Sequence, residues 1–461
     1  MPLVEGYSST SESEGDQIEE IETLDKGNGQ KVENSGVLIL NKVADPTSSV
    51  SVGIERKRHN LSKSNLKAKR SKRKGKGPWA KWDSSSDSND DAGLGEDYVS
   101  DLVAPELDAT EVPIDNEQST FHGKAQKDYL GRGILHPPAD VGVEFDKEPL
   151  SFKCYLPKKI IHRYEGHKGG VTALHFIPKS AHLFASGGND NTVRLWDMYH
   201  DRGLLRDYCG HSKPIRDISF SPSGAQLASS SYDGSVKIWD TETGDVKHRI
   251  LPHAIPNCIS FHPINGNELI VGLSNSEIKH YDLRTSGKNA VIQTYDHHTS
   301  AVNALKYFPD GSKFISSSDD KTVRIWDNQI NIPIKQIADT SQYSMPWLQV
   351  HPEKNYFASQ CMDNSIQVFS MKPKYKRHPK KTFKGHMVTG FNIKLDISPD
   401  GKYLTSGDAK GKLYIWDWKT AKILKTLNVP AEDALTNVAW SPQETSKVIC
   451  GGTNGRISLF D

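Results

Sequence analysis

The segments "SGGNDNTVRLWD", "SSSYDGSVKIWD" and "SSSDDKTVRIWD" are copies of one unit, and the unit recurs seven times from residue 158 onward. Its third strand closes on an aromatic residue each time: Trp196, Trp239, Tyr281, Trp326, Phe369, Trp416 and Phe460, at intervals of 43, 42, 45, 43, 47 and 44. That period is the mark of WD-type repeats, whose units cannot bury their apolar faces alone and therefore stack. Between the aromatics, stretches such as "PIRDISFSPSGAQLASSS" alternate apolar with polar residues and break at Gly, Asn, Asp and Ser-Pro, which reads as short antiparallel strands. The expected fold is all-β: a seven-bladed WD-repeat β-propeller over 158–461, preceded by a disordered charged arm (1–120) and an extended linker (121–157).

Polar residues recur in the same register. The sixth residue before each aromatic is Asp190, Asp233, Asn275, Asp320, Asp363, Lys410 or Asn454, and a His stands 22 or 23 residues further upstream in four units, at His167, His211, His253 and His298. Ser186, Ser229 and Ser316 precede their Asp by four residues. In WD repeats such His, Ser and Asp side chains join the Trp ring nitrogen in a buried hydrogen-bond chain, which rigidifies a blade because every polar group has a partner. Units one, two and four carry the full set: His167, Ser186, Asp190 and Trp196; His211, Ser229, Asp233 and Trp239; His298, Ser316, Asp320 and Trp326. A lone His, Ser and Asp would suggest a hydrolase, but repetition in register across blades marks a structural role. Units three, five, six and seven depart from the pattern, with Val271 and Tyr281, no His, Lys410, and Cys450, Asn454 and Phe460.

The last unit stops at Asp461, one strand short of the others. "KKIIHRY", residues 158 to 164, precedes the first His unit and is the expected missing strand; pairing it with the final strand closes the ring and removes open edges.

The net charge of +1 hides opposed blocks. Residues 1–55 hold 11 acidic and 3 basic side chains, 56–82 hold 12 basic and no acidic, and 83–120 hold 12 acidic and no basic. Blocks so poor in apolar residues cannot offset chain entropy by burial, so the arm is expected to be disordered when free and to serve interaction. No apolar run approaches the ~20 residues that cross a bilayer, and the N-terminus lacks the pattern of a secretory signal. Five widely spaced cysteines without a C-x-x-C pair argue against a disulfide framework or zinc site, leaving reduced, mostly buried thiols. Phosphate-binding, nucleophile-elbow and zinc-protease motifs are absent. The expectation is therefore no enzyme, no metal, no cofactor and no small-molecule substrate.

Two basic clusters bear on partners. Lys69, Arg70, Lys72, Arg73 and Lys74 in "KAKRSKRKGK" form a nuclear-import candidate. The longest interval between aromatics contains "KPKYKRHPKK", where Lys374, Tyr375, Lys376, Arg377, Lys380 and Lys381 read as a loop that tracks RNA phosphates and stacks a base on the tyrosine.

"GPWAKW" (77–82), "DYLGRGILHPPADVG" (128–142) and "KCYLPKKIIHRYEGHKGGV" (153–171) resemble the arm and entry strand of the pre-mRNA-processing factor 17 family, WD-repeat factors of the second splicing step. The likeness continues through "FKGHMVTG", "SGDAKGKLYIWDWKT" and "QETSKV" and covers about 77–461. It implies a nuclear, non-enzymatic scaffold of the catalytic spliceosome, whose partners are spliceosomal proteins and small nuclear ribonucleoprotein complexes, with RNA touched by the basic arm and loop and no membrane involved. It also implies that partners are held by the arm at Pro78, Trp79, Ala80, Lys81, Trp82, Tyr129, Gly131 and Arg132; two Trp side chains in a segment without a core suit a docking anchor. Two alternatives stand beside it: a substrate receptor of a cullin-ring ubiquitin ligase, for which "WDWK" (416–419) and "YDLR" (281–284) are the motifs, and a nuclear ribosome-assembly scaffold.

Overall fold

A computed structural model of the chain describes residues 117–127, 130–285, 290–339, 342–430 and 434–461. Seven sheets follow one another, and five of them consist only of consecutive strands. Their innermost strands are Val171–Phe176, Ile215–Phe220, Pro256–Phe261, Val302–Tyr307, Trp347–Val350, Leu395–Ile397 and Leu435–Trp440. The seventh sheet is completed from the other end of the propeller: Ile160–Tyr164 pairs antiparallel with Ile457–Phe460. This is the seven-bladed β-propeller, closed by the strand expected to close it.

Burial follows position in the blade. Second strands such as Leu183–Gly188 and Glu268–Leu273 are buried at every residue, because both of their faces meet neighbouring blades. Outermost strands such as Val246–Ile250 alternate half-buried and exposed residues, since one face meets water. The core is a belt between sheets: Ile315 and Ile325 of blade four pack with Phe357 and Phe369 of blade five and Leu404 and Trp416 of blade six. The turns from first to second strand explain their "SPSG", "FPDG" and "SPDG" spelling, for Gly224, Gly311 and Gly401 all take positive φ of 70–76°, which a side chain would strain.

The first blade carries an extra strand. Gln118–Phe121 pairs with Leu204–Cys209 at the outer edge, so the boundary expected at residue 120 falls inside a strand. From there a strap crosses one face of the propeller. Ile134 accepts from His182, Lys147 exchanges two hydrogen bonds with the Gln443 amide, and Leu150 donates to Pro399. The backbone of Cys154 then donates to the Asp400 carboxylate and that of Tyr155 to Thr445. Residues expected as a linker thus use their backbone groups on the first-to-second-strand turns of blades one, six and seven.

Candidate functional site

Three blades contain the complete polar chain. In blade one, His167 Nδ1–H donates to Asp190 at 2.9 Å, Ser186 Oγ–H donates to His167 Nε2 at 2.7 Å, and Trp196 Nε1–H donates to Ser186 at 2.8 Å. Blade two repeats it with His211–Asp233 (2.8 Å), Ser229–His211 (2.8 Å) and Trp239–Ser229 (2.9 Å). Blade four does so with His298–Asp320 (2.8 Å), Ser316–His298 (2.7 Å) and Trp326–Ser316 (2.9 Å). Burial alone would raise the Asp233 carboxyl, but the hydrogen bond and charge of His211 together with the hydrogen bonds from Ser235 outweigh it and hold the group at about 2. Ser186, Ser229 and Ser316 are fully buried, so these hydroxyls serve the blade and meet no substrate.

The other blades improvise. His253 is exposed at a φ of 65°, for Val271 replaces the serine that would have bonded it. In blade five, Ser359 donates to the Trp347 carbonyl, and Phe369 has no ring N–H to offer. Blade six holds a buried His that the spacing did not reveal: His386 bonds the Gln360 amide of blade five at 2.9 Å, and Trp416 donates to the Lys384 carbonyl.

The expected arm anchors divide. Lys69, Arg70, Lys72, Arg73 and Lys74, the segment Pro78–Trp82, and Tyr129 lie outside the described residues. Gly131 is exposed with a φ of 77°, and Arg132 is half-buried, lining a cavity of about 620 Å³ between strap and blade one. Just beyond, Ile134 and Leu135 pack on the core of blades one and two. The firmest anchor of this region was not expected: Glu117 Oε1 accepts from Lys237 Nζ at 2.6 Å and from Arg249 Nε at 2.9 Å, and the Lys237 ammonium also donates to the Gly210 carbonyl. Burial raises the Glu117 carboxyl, and the two cations more than reverse it.

The basic loop requires a correction. Only its first part is a turn; Arg377–Lys384 is the outer strand of blade five, and its ladder jumps from Gln367–Thr382 to Phe369–Arg377, so Lys380 and Lys381 sit on a bulge. Tyr375 is 8% exposed and packed in the core, so it has no face to give a base. Lys381 lies over Tyr356 and Trp418 at 5.4 and 4.9 Å. Lys374, Lys376, Arg377, Lys380 and Lys384 are exposed.

A third feature is axial. Lys394 of blade six donates to Asp217 of blade two at 2.9 Å, across the bore of the propeller and over the Trp347 ring. At the ligase-type motif, Arg284 forks onto Asp282 two residues away, at 3.0 and 2.7 Å.

These features define a WD-repeat propeller with a strapped face and a basic edge, and the pattern of the WD domain, G-beta repeat, matches residues 158–197, 202–240, 289–327 and 377–417. Over the whole of both chains, the sequence is 51% identical to Pre-mRNA-processing factor 17 of Saccharomyces cerevisiae. It is 42% identical over 347 residues to the mouse and human proteins of that name, covering 75% of this chain and 59% of theirs. It is 28% identical to mouse WD repeat-containing protein 25 over 59% of this chain and 52% of that one. The chain belongs to the pre-mRNA-processing factor 17 family.

Proposed function

We propose that this chain is a non-catalytic scaffold of the pre-mRNA splicing machinery, working in the nucleus around the second transesterification, the joining of exons. The observation that carries the reading is the 51% identity, spread over all of both chains, to a protein named for pre-mRNA processing. That span includes the charged arm, which supports a role for Pro78–Trp82 as a docking anchor and for Lys69–Lys74 as an import signal. The buried His, Ser and Asp groups are spent within the blades, which supports a binding surface rather than a reaction centre. Exposed cations on the outer strand of blade five support contact with RNA phosphates.

Removal of the protein from a splicing extract tests the reading. Lariat intermediate and free first exon are expected to accumulate, and the intact chain to restore exon joining. Precursor that accumulates without lariat places the action earlier and overturns the timing. Small nuclear RNAs are expected with the purified chain; ligase adaptor subunits or pre-ribosomal RNA in their place would favour the two alternatives.

A further inference from the structure

Two cavities open onto the propeller axis and meet at one plug. The plug is the Lys394–Asp217 pair against Trp347, whose ring centre is 4.3 Å from the Lys394 ammonium. Lys306 of blade four lies over the same ring at 5.0 Å. His175 of blade one, 3.9 Å from Asp217, is driven to about 3 by burial beside the two ammonium groups and is neutral. On one side of the plug is a cavity of about 280 Å³. On the other is one of about 820 Å³, opening on the strapped face with Glu148–Leu150 on its rim.

The larger cavity is mostly apolar, walled by Leu174, Phe176, Trp347, Ile397, Val438 and Trp440. Its size and lining are those of a ligand site. Most of its polar groups are already matched. Lys394 has Asp217, while the Asp396 carboxylate accepts from the Trp440 amide at 2.7 Å and from the Ile397 amide and the Gln349 side chain, each at 2.8 Å. Lys306 differs: half-buried on an aromatic face, it makes no direct ion pair or hydrogen bond among the described residues, and the Asp217 and Asp396 carboxylates act on its charge only from a distance. An ammonium withdrawn from water in this way is costly unless an anion meets it.

We infer that this cavity binds an acidic peptide segment of a partner, with one carboxylate on Lys306 and apolar neighbours against Phe176, Ile397 and Trp440. Lys306 is the cation set inside the apolar chamber, the other lysine without an ion pair, Lys354, being exposed on its lining, and a lone ammonium there matches a single carboxylate flanked by hydrophobic side chains. A phosphate-rich ligand would call for several converging cations. The inference stands apart from the splicing reading, since it rests on the bore alone.

Fluorescence titration of the intact chain with anilinonaphthalene sulfonate, an apolar ring system bearing one anion, tests it against uncharged phenylnaphthylamine. A single saturable site is expected, weakened about tenfold by Lys306→Met and restored by Lys306→Arg, with the uncharged compound indifferent to both. Acetyl-Leu-Glu-Leu-amide is expected to displace the sulfonate, and the Gln peptide to leave it in place. Thermal melting of each variant reports folding, and Lys306→Gln replaces the Met variant if that one melts early. Unaltered binding in the folded variant overturns the inference. Displacement by inositol hexakisphosphate and not by the Glu peptide overturns the choice of a peptide.

Discussion

Ile160 stands opposite Phe460 in one antiparallel ladder, so the first and last strands of the propeller are neighbours in a single sheet. The pairing also seats Tyr164, which is buried against Phe184 and Trp196 and donates its hydroxyl to the Asp197 carbonyl of blade one. Deleting residues 158–164 leaves the Ile457–Phe460 edge open and that seat empty. Cooperative thermal unfolding of the chain is expected to be lost; a calorimetric transition of unchanged sharpness would show that closure lies elsewhere.

Ser229 is the joint of its blade's polar chain, accepting from Trp239 and donating to His211. Ser229→Ala leaves two buried nitrogens unpaired, at roughly 1–3 kcal/mol for each such group. Ser359 occupies the same place in blade five but serves only the Trp347 carbonyl, so Ser359→Ala is expected to cost about 1 kcal/mol. Urea denaturation of the two variants checks the contrast, and equal losses would mean that the chain adds nothing beyond a single hydrogen bond.

The repeat was legible because its chemistry is local: aromatic, Asp and Ser fall at fixed offsets within one hairpin, so blades one, two and four read directly. His253 misled because spacing alone does not show that Val271 has removed its partner. His386 was missed because its partner, Gln360, belongs to the preceding blade. Glu117 looked like one more acid in an acidic tract, for Lys237 and Arg249 lie 120 and 132 residues away. Asp217, Lys306 and Lys394 belong to three different units, and only ring closure brings them to one axis. Tyr375 looked free in a cationic run, yet the turn folds it under the blade.

Glu117 joins the extra strand of blade one to blade two through Lys237, which is almost wholly buried. Removing one partner of such a pair strands the other's charge, at about 3–5 kcal/mol, whereas replacing both is far milder. Glu117→Ala is therefore expected to lower the melting temperature more than the double change Glu117→Ala with Lys237→Met. A double variant as unstable as the single one would assign the effect to packing instead.

Acid is expected to weaken the fold in two stages. Burial lowers His386 from 6.5 to about 4, so the folded form binds fewer protons than the unfolded; its contribution is complete above about pH 6.5 and lost as pH falls toward 4. That shift corresponds to on the order of 3 kcal/mol. Asp233, held near 2, contributes above its unfolded value near 4 and is lost between there and pH 2. His386→Gln is expected to reduce the slope of the upper stage without abolishing it, since His175, lowered to about 3, titrates through the same range; an unaltered slope between pH 6.5 and 4 in chemical denaturation would contradict the assignment.

The basic outer strand of blade five has a mundane explanation, since Lys and Pro on an exposed edge discourage strand-to-strand aggregation. Other edges of this propeller do without that protection: Val291–Tyr295 of blade three carries no charge at all. Blade five instead places Arg377, Lys380 and Lys384 on one exposed edge, with Lys372, Lys374 and Lys376 in the turn before it and no acid from 372 to 384. A nucleic-acid role for such a track would mean neutralising phosphates whatever the base sequence, with binding governed by counterion release. For single strands, each lost phosphate contact reduces the salt slope by about 0.7. Replacing Arg377, Lys380 and Lys384 by Ala in the full chain is expected to lower the slope for a labelled oligouridine by about 2, while Tyr375→Phe changes neither slope nor affinity because the ring is buried. Ala at Lys69, Arg70, Lys72, Arg73 and Lys74 is expected to lower the slope further and independently. If the blade-five substitutions leave the slope unaltered, the strand is edge protection and the arm alone meets RNA.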